Sequence, residues 1–358
     1  TARWERLWPT EISIRDTGIT RLPRPAGGPW GNFRFQRALS KYLSDVHKKT
    51  PLDGVFVFGA GQETETVRRI VGPEVNILTR LNSRYCTGTN WSSHHTRRIL
   101  NAADVIATDT SALADKVRDS EVTTRTCVIP DIVCSEGEPF VERTMVSRES
   151  ARRAISDAHP ILSIEGDHPL IVSSLPMNGD EGLLDLIGAW PVVLKSYRNA
   201  RLWLTGNGSF GRRVWDAITR RELIYNVIMP GYFDDVTELF LAADLYVHPA
   251  RTDDACSMLT RAMNSGICVV STENEFSQSL LTKNVSGMFV PRQNPHAMAE
   301  AIIHGIRNRD LRQRLGSSSR RTINETIPAP VIAANYLNLL SGNDTGAIQI
   351  PLPDSQQN

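Results

Sequence analysis

The sequence predicts an α/β protein of two domains, each built on a parallel β-sheet, and three observations predict it. The chain has 358 residues, which at roughly 150 residues per domain gives about two domains. Short apolar runs bounded by Gly, Pro and Asp recur along it, the mark of buried parallel strands feeding helices. Between those runs apolar residues repeat at the helical period, and this alternation implies a parallel sheet covered on both faces.

In the first half the expected strands are Gly54 to Phe58, Val75 to Thr79, Asp104 to Ala107 and Cys127 to Ile129. In the second half they are Leu170 to Ser173, Arg201 to Leu204, Val227 to Met229, Leu245 to Val247 and Cys268 to Val270. Leu183, Leu186, Ile187, Trp190, Leu194 and Tyr197 fall on one helical face, where Pro191 is expected to kink or shorten the helix. Val236, Leu239, Phe240 and Ala243 repeat the pattern, with Asp234 or Asp235 placed to cap the first turn. After Pro291 the chain reads as helices only. The polar stretch from Glu136 to Asp167 holds no strand, so the domain boundary is expected there. The resulting division is residues 1–155, 165–325, a terminal helix over 326–341, and a tail over 342–358 whose Gly, Pro, Asn and Gln content predicts fraying.

Composition excludes several function classes. Lys plus Arg is 40 and Asp plus Glu is 39, a net of +1, so no global field draws the chain onto nucleic acid. Hydrophobic residues at 41% and charged residues at 22% exclude wholesale disorder and collagen-like architecture. The five cysteines include no CxxC pair and no zinc-type spacing, so they read as reduced thiols of a cytosolic-type compartment, with no metal. No apolar run approaches the roughly 18 residues of a membrane span, and the first segment lacks the apolar stretch of a signal peptide. A cytoplasmic location is the expectation. The chain begins at Thr1 without an initiator Met, which reads as a processed product or a fragment.

In open α/β sheets ligands bind at the carboxyl ends of the strands, so the loops after the second-half strands carry the functional signal. Leu204-Thr205-Gly206-Asn207-Gly208 is a strand leading through a Gly-x-Gly turn towards a helix, where backbone amides approach a phosphate closely; an ordinary glycine turn has the same sequence. Met229 to Asp235 and His248 to Gly266 follow the next strands.

From Leu170 to about Leu315 the order of pieces resembles the carboxyl-terminal donor domain of the retaining family 4, or group 1, glycosyltransferases, which have the GT-B fold of two Rossmann-like domains facing each other across a cleft. The matching pieces are AWPVVLKSYRNARLWLTGNG, VIMPGYFDDVTELFLAADLYVHPA, RAMNSGICVVST, VSGMFVP and NPHAMAEAI. ADVIATDTSALADKV, CVIPDIV and RESARRAI resemble the end of the family's amino-terminal domain and its interdomain segment. The opening strand and glycine-rich loop of that domain have no counterpart. Gly27, Gly28 and Gly31 follow Ile19 to Pro23, which reads as a later strand, so the resemblance implies that an amino-terminal portion is missing.

The resemblance implies a retaining hexosyl transfer from a nucleotide-diphosphate sugar to an unknown glycan, lipid-linked or small-molecule acceptor, with no metal or cofactor, the nucleotide-sugar being a substrate. It places base contacts near Tyr232, phosphate contacts at Gly206, Asn207 and Gly208, and amides for the leaving diphosphate at Ala255, Cys256 and Ser257. The family's pair of acids lands on Asp253 and Arg261, and its basic pair on Ser174 and Glu181. Asp253 keeps an acceptor for sugar hydroxyls, whereas a guanidinium has none. Glu181 and Arg261 therefore suggest an exchange of sign, with Arg261, Arg251 or Lys283 meeting the diphosphate. Ser174 and Glu181 equally suit a degenerate GT-B protein that binds without turnover, and another GT-B enzyme is the third alternative.

Lesser signals complete the reading. Adjacent Asp253 and Asp254 point to different sides and make a poor metal pair. His94 and His95 read as acceptor-side groups or as surface and capping residues, and Arg80, Leu81 and Asn82 stand where the family often has a His. Arg307, Arg309, Arg312, Arg314, Arg320 and Arg321 suit either a solvated helix face or peripheral contact with anionic lipid on the inner membrane face.

Overall fold

The computed structural model describes residues 11–14, 17–20, 22, 29–82, 86, 89–130, 141–231, 233, 236–252 and 257–342. The chain forms two compact units, Thr1–Pro130 with Ala333–Ile348, and Asp131–Ile332 with Gln349–Asn358. Among the described residues the strands form three sheets.

The first unit opens with an antiparallel pair, β1 (Glu11–Ile14) and β2 (Thr17–Thr20), in register Glu11 to Thr20. The strand expected from Ile19 to Pro23 is thus part of a separate hairpin, outside the main sheet; residues 23–28, with Gly27 and Gly28, lie outside the described residues. Next come α1 (Pro29–Lys49), β3 (Gly54–Phe58), α2 (Glu63–Val71), β4 (Asn76–Leu81), α3 (His94–Leu100), β5 (Val105–Thr108), α4 (Ser111–Asp119) and β6 (Arg125–Val128). Strands β3 to β6 form a parallel sheet in chain order. Val57, Val67, Val71, Val75, Ile77 and Ala103 make one core cluster, and Leu81, Leu100, Ile106, Leu113 and Val117 belong to another.

The second unit runs α5 (Met145–Ala158), β7 (Leu170–Ser174), α6 (Leu183–Ser196), β8 (Arg201–Thr205), α7 (Gly211–Arg220), β9 (Val227–Gly231), α8 (Thr237–Ala242), β10 (Leu245–His248), α9 (Ser257–Ser265), β11 (Cys268–Thr272), α10 (Glu275–Leu280), β12 (Met288–Val290), α11 (Pro295–Arg307) and α12 (Arg309–Thr326). Its six-stranded parallel sheet has the order β12-β11-β10-β7-β8-β9. Strand β12 was not expected, being only three residues long. Helix α6 continues through Pro191 to Ser196 rather than stopping there, because Leu183, Leu186, Ile187, Trp190 and Val193 are all buried and outweigh one lost backbone bond. Helix α8 begins after Val236, and Asp234 and Asp235 lie outside the described residues.

The terminal helix α13 (Ala329–Leu340) returns to the first unit. Tyr336 packs edge-on against Phe56 at 5.1 Å between ring centres, and Asn76 Nδ2 donates to the Leu340 carbonyl at 3.1 Å. No described helix is long and apolar enough to cross a membrane.

One structural device occupies the amino edge of the six-stranded sheet. Helix carboxyl ends converge there, each presenting unpaired carbonyls and the negative pole of its dipole, and arginines meet them. Arg143 donates to the carbonyls of Phe240 and Ala243 and Arg152 to that of Ala242, beyond and at the end of α8; Arg312 donates to Gly305 and Ile306 in α11, and Arg320 to Asn264 in α9. Asp244 is their hub: it accepts from Arg148 at 3.2 Å, Arg152 at 3.1 Å and the Leu170 backbone amide at 2.9 Å, with Arg312 at 3.9 Å. Burial pushes the Arg143 and Arg152 guanidinium groups down to about 10. The arginine run of 307–321 is therefore not one solvated face, since Arg312 and Arg320 fold back as helix caps.

Candidate functional site

The order of the six strands reverses between β7 and β10. A reversal of this kind marks where ligands bind in doubly wound sheets. Tyr246, inside β10, donates its hydroxyl to the Ser174 carbonyl at the end of β7 at 3.2 Å, tying the two strands at that point.

The turn after β8 is pressed against the turn after β7. Leu175 N donates to Thr205 O at 3.3 Å, Met177 N to Asn207 O at 3.0 Å, and Phe210 N to Met177 O at 2.7 Å, while Gly206 N donates to Gly231 O at 2.8 Å. A Cβ on Gly206 would lie 2.1 Å from the Leu175 carbonyl oxygen, and one on Gly208 would lie 2.1 Å from that of Met177. Gly206 also has φ +128. The glycine requirement at both positions thus follows from contact between two backbone turns, independently of any phosphate.

A guanidinium clamp spans the switch point. Arg251, in the loop after β10, meets Asp180 at 2.8 Å and Asp185, in the first turn of α6, through bonds of 2.8 to 3.0 Å from Nε and Nη2. The Asp185 contact is a paired fork, the geometry in which an arginine binds a carboxylate most firmly. Thr252 donates to Glu181 at 3.3 Å, so the same two loops are joined twice. Arg292 donates to the carbonyls of Glu273 and Arg251 at 2.7 and 2.9 Å, and Lys283 pairs with Glu273 at 3.3 Å.

These bonds bear on the three cations expected to meet a diphosphate. Arg251 is matched by two carboxylates and Lys283 by one, whereas Arg261, exposed on α9, has no carboxylate partner among the described residues. Glu181 and Arg261 share no ion pair. Ser174, Glu181, Gly206, Asn207, Gly208 and Ser257 lie in or beside the loops at the carboxyl edge, Ser257 as the first residue of α9. Tyr232, Asp253, Asp254, Ala255 and Cys256 lie outside the described residues.

His248 ends β10 with no exposed surface, and neither ring nitrogen has a hydrogen-bond partner among the described residues. Its ring stacks 6.3 Å from that of Tyr246, and burial pushes it down to about 4, so it is neutral at physiological pH. The clamp and this histidine are the features that sequence reading missed. Arg251 and its partners stand 66 to 71 positions apart, and nothing local marks them as a set.

In the first unit, Arg80 is buried, donates to the Ile129 carbonyl and lies 6.0 Å from the Tyr336 ring centre. Leu81 is fully buried, so this strand end serves packing. Ser93, not a histidine, caps α3 by accepting from Thr96 N at 3.0 Å. His95 is exposed and sits 3.4 Å from Gln62, which in turn accepts from Asn32 at 2.8 Å. Among the described residues no three His, Cys, Asp or Glu side chains are grouped to hold a metal ion.

Comparison with known proteins agrees with this architecture. Residues 155–322 match the family model for glycosyl transferases group 1. An uncharacterized glycosyltransferase of Methanocaldococcus jannaschii is 21% identical over 180 residues, which span 50% of this chain and 46% of that protein. The chain thus spans about half the length of this relative. Sucrose-phosphate synthase of Thermosynechococcus elongatus superposes with a TM-score of 0.71 at 16% identity, over 92% of this chain and 84% of that one. HepE of Anabaena, solved with UDP and glucose, gives 0.69 at 16% identity over 88% and 84%. The two parallel-sheet domains have the GT-B fold.

Proposed function

We propose, from the premise that residues 155–322 form a group 1 glycosyltransferase domain, that the chain moves a hexosyl group from a nucleotide-diphosphate sugar to a glycan, lipid-linked or small-molecule acceptor with retention. The observation that carries this reading is the switch point itself: the Gly206 to Gly208 turn, the Arg251 clamp and the start of α9 all belong to the carboxyl edge of the sheet. The likeness to HepE, solved with UDP and glucose, favours a UDP-sugar among the possible donors.

Each group has a role the chemistry allows. Asp253 accepts hydrogen bonds from donor-sugar hydroxyls. The resemblance assigns Tyr232 to the base, and the amides of Ala255, Cys256 and Ser257, the last being the first residue of α9, to the developing charge of the leaving diphosphate. Arg261 supplies a cation that, among the described residues, is not already spent on a carboxylate. The reaction needs no metal or cofactor in this reading.

Calorimetric titration with UDP-, GDP- and ADP-sugars, followed by an assay for sugar release with every donor that binds, tests the reading. Binding with slow hydrolysis is expected, and binding without any release would overturn the transferase. Arg261→Ala is expected to weaken donor affinity roughly tenfold or more, on the scale of a charge-assisted hydrogen bond. Unchanged affinity would remove Arg261 from the diphosphate.

A further inference from the structure

Charge is distributed unevenly in this nearly neutral chain. Between Lys195 and Asn226 seven basic residues face two acidic ones, Asp216 and Glu222, a net of +5 in a chain whose total is +1. The segment is contiguous in space as well. It comprises the end of α6, then β8, α7 and the turn into β9; β8 pairs with β9, and Asn226 Nδ2 donates to the Arg198 and Ala200 carbonyls at 3.2 Å, joining the turns at their amino ends.

Helix α7 buries Val214, Ala217 and Ile218 and turns Arg212, Trp215, Thr219 and Arg220 outward. The basic side chains of Lys195, Arg198, Arg213, Arg220 and Arg221 are exposed and, among the described residues, pair with no carboxylate; Arg212 alone does so, with Asp216 at 3.2 Å on the same face. Arg220 Nε donates to the Asp216 carbonyl at 3.2 Å and Arg221 Nη1 to that of Ala217 at 3.5 Å, both carbonyls within α7, yet both arginines stay on the surface, unlike the half-buried Arg312 and Arg320 of α12. Large apolar groups stand among them: Trp215 is 46%, Ile224 43% and Tyr225 79% exposed.

We propose that this face docks the chain on an anionic lipid surface. Exposed arginines with no carboxylate partner among the described residues satisfy the electrostatic requirement for phosphatidylserine-like headgroups. A tryptophan and a tyrosine have an apolar body and a polar tip, which suits the boundary between headgroup and acyl chain. Ile224, exposed in the turn after α7, is an apolar group that serves a membrane boundary better than the phosphate backbone of a nucleic acid.

The test is co-sedimentation of the full chain with vesicles of phosphatidylcholine alone and of phosphatidylcholine with about 30% phosphatidylserine. Binding to the anionic vesicles at about 0.1 M salt, its loss near about 0.5 M, and little binding to phosphatidylcholine alone are expected. Arg213→Ala combined with Arg220→Ala is expected to weaken binding about 25-fold, roughly fivefold for each arginine. Trp215→Ser with Tyr225→Ser, whose side chains are on the surface, is expected to weaken it while leaving the salt dependence in place, and Arg309→Ala with Arg321→Ala to leave it unchanged. Failure to bind either vesicle, equal binding to both, an unaffected arginine pair, or a preference for a single-stranded oligonucleotide over the anionic vesicles would overturn the proposal.

Discussion

Replacing His248 with leucine isolates a cost built into the centre of the second unit's sheet. The folded chain holds this imidazole neutral down to about pH 4, while an unfolded chain takes up the proton near its ordinary value of 6.5. Between those two values the unfolded state binds more protons, so stability is fully present above pH 6.5 and is lost as pH falls towards 4. A gap of that size is worth about 3 kcal/mol in all, of which about 2 kcal/mol is lost between about pH 7.5 and about pH 5. Leucine removes both the titration and two buried nitrogens that have no partner among the described residues, each of which costs about 1 to 3 kcal/mol. His248→Leu is therefore expected to be at least as stable as the parent at neutral pH and to lose about 2 kcal/mol less on acidification. Urea unfolding of both proteins at the two pH values, followed by circular dichroism, measures the difference. An acid sensitivity identical in parent and variant would refute the reasoning.

Other expectations follow from the same geometry. Asp244→Ala leaves Arg148, Arg152 and the Leu170 amide without their shared acceptor, and denaturant titration is expected to show a loss of about 3 to 5 kcal/mol. Gly206→Ala sets a methyl group against the Leu175 carbonyl at a positive φ, so a loss of about 3 kcal/mol together with weaker donor binding is expected by unfolding and calorimetry. Burial pushes the Cys86 thiol up to about 11 and the Cys268 thiol up to about 12, and raises that of Cys127; alkylation at neutral pH, mapped by mass spectrometry, is expected to spare all three until the chain is unfolded. Arg251→Lys keeps the charge but breaks the fork to Asp185, and a higher donor KM with kcat less affected is the expected signature of a loosened loop.

Much of the second unit could be read from its sequence. The runs beginning at Leu170, Arg201, Val227, Leu245 and Cys268 are parallel strands, each within one or two residues of its expected end, and all but the edge strand at Val227 are buried almost throughout. Continuous burial on both faces makes such runs apolar throughout, and that is a local signal. The three-residue β12 fell below the length at which such a run stands out. The expectation that Pro191 would shorten its helix failed because a proline's local penalty is visible in sequence, while the burial of Leu183, Leu186, Ile187, Trp190 and Val193 on the same helix, which outweighs it, depends on the tertiary packing around α6. The arginines of 307–321 misled in the same way: composition marks them as cations, but only the meeting of helix ends at the amino edge shows that Arg312 and Arg320 are caps.

The sequence by itself determined the alternation of strand and helix, the chain order of the donor-type pieces and the positions of the glycines, because each is encoded within a few consecutive residues. Only the tertiary structure decided which strands are neighbours, and so where the switch point falls. It also decided that Gly206 and Gly208 answer to the backbone of Leu175 and Met177, and that Arg251 is spent on Asp180 and Asp185. These are contacts across tens of residues, fixed by the sheet that brings the loops together rather than by any local preference of the loops.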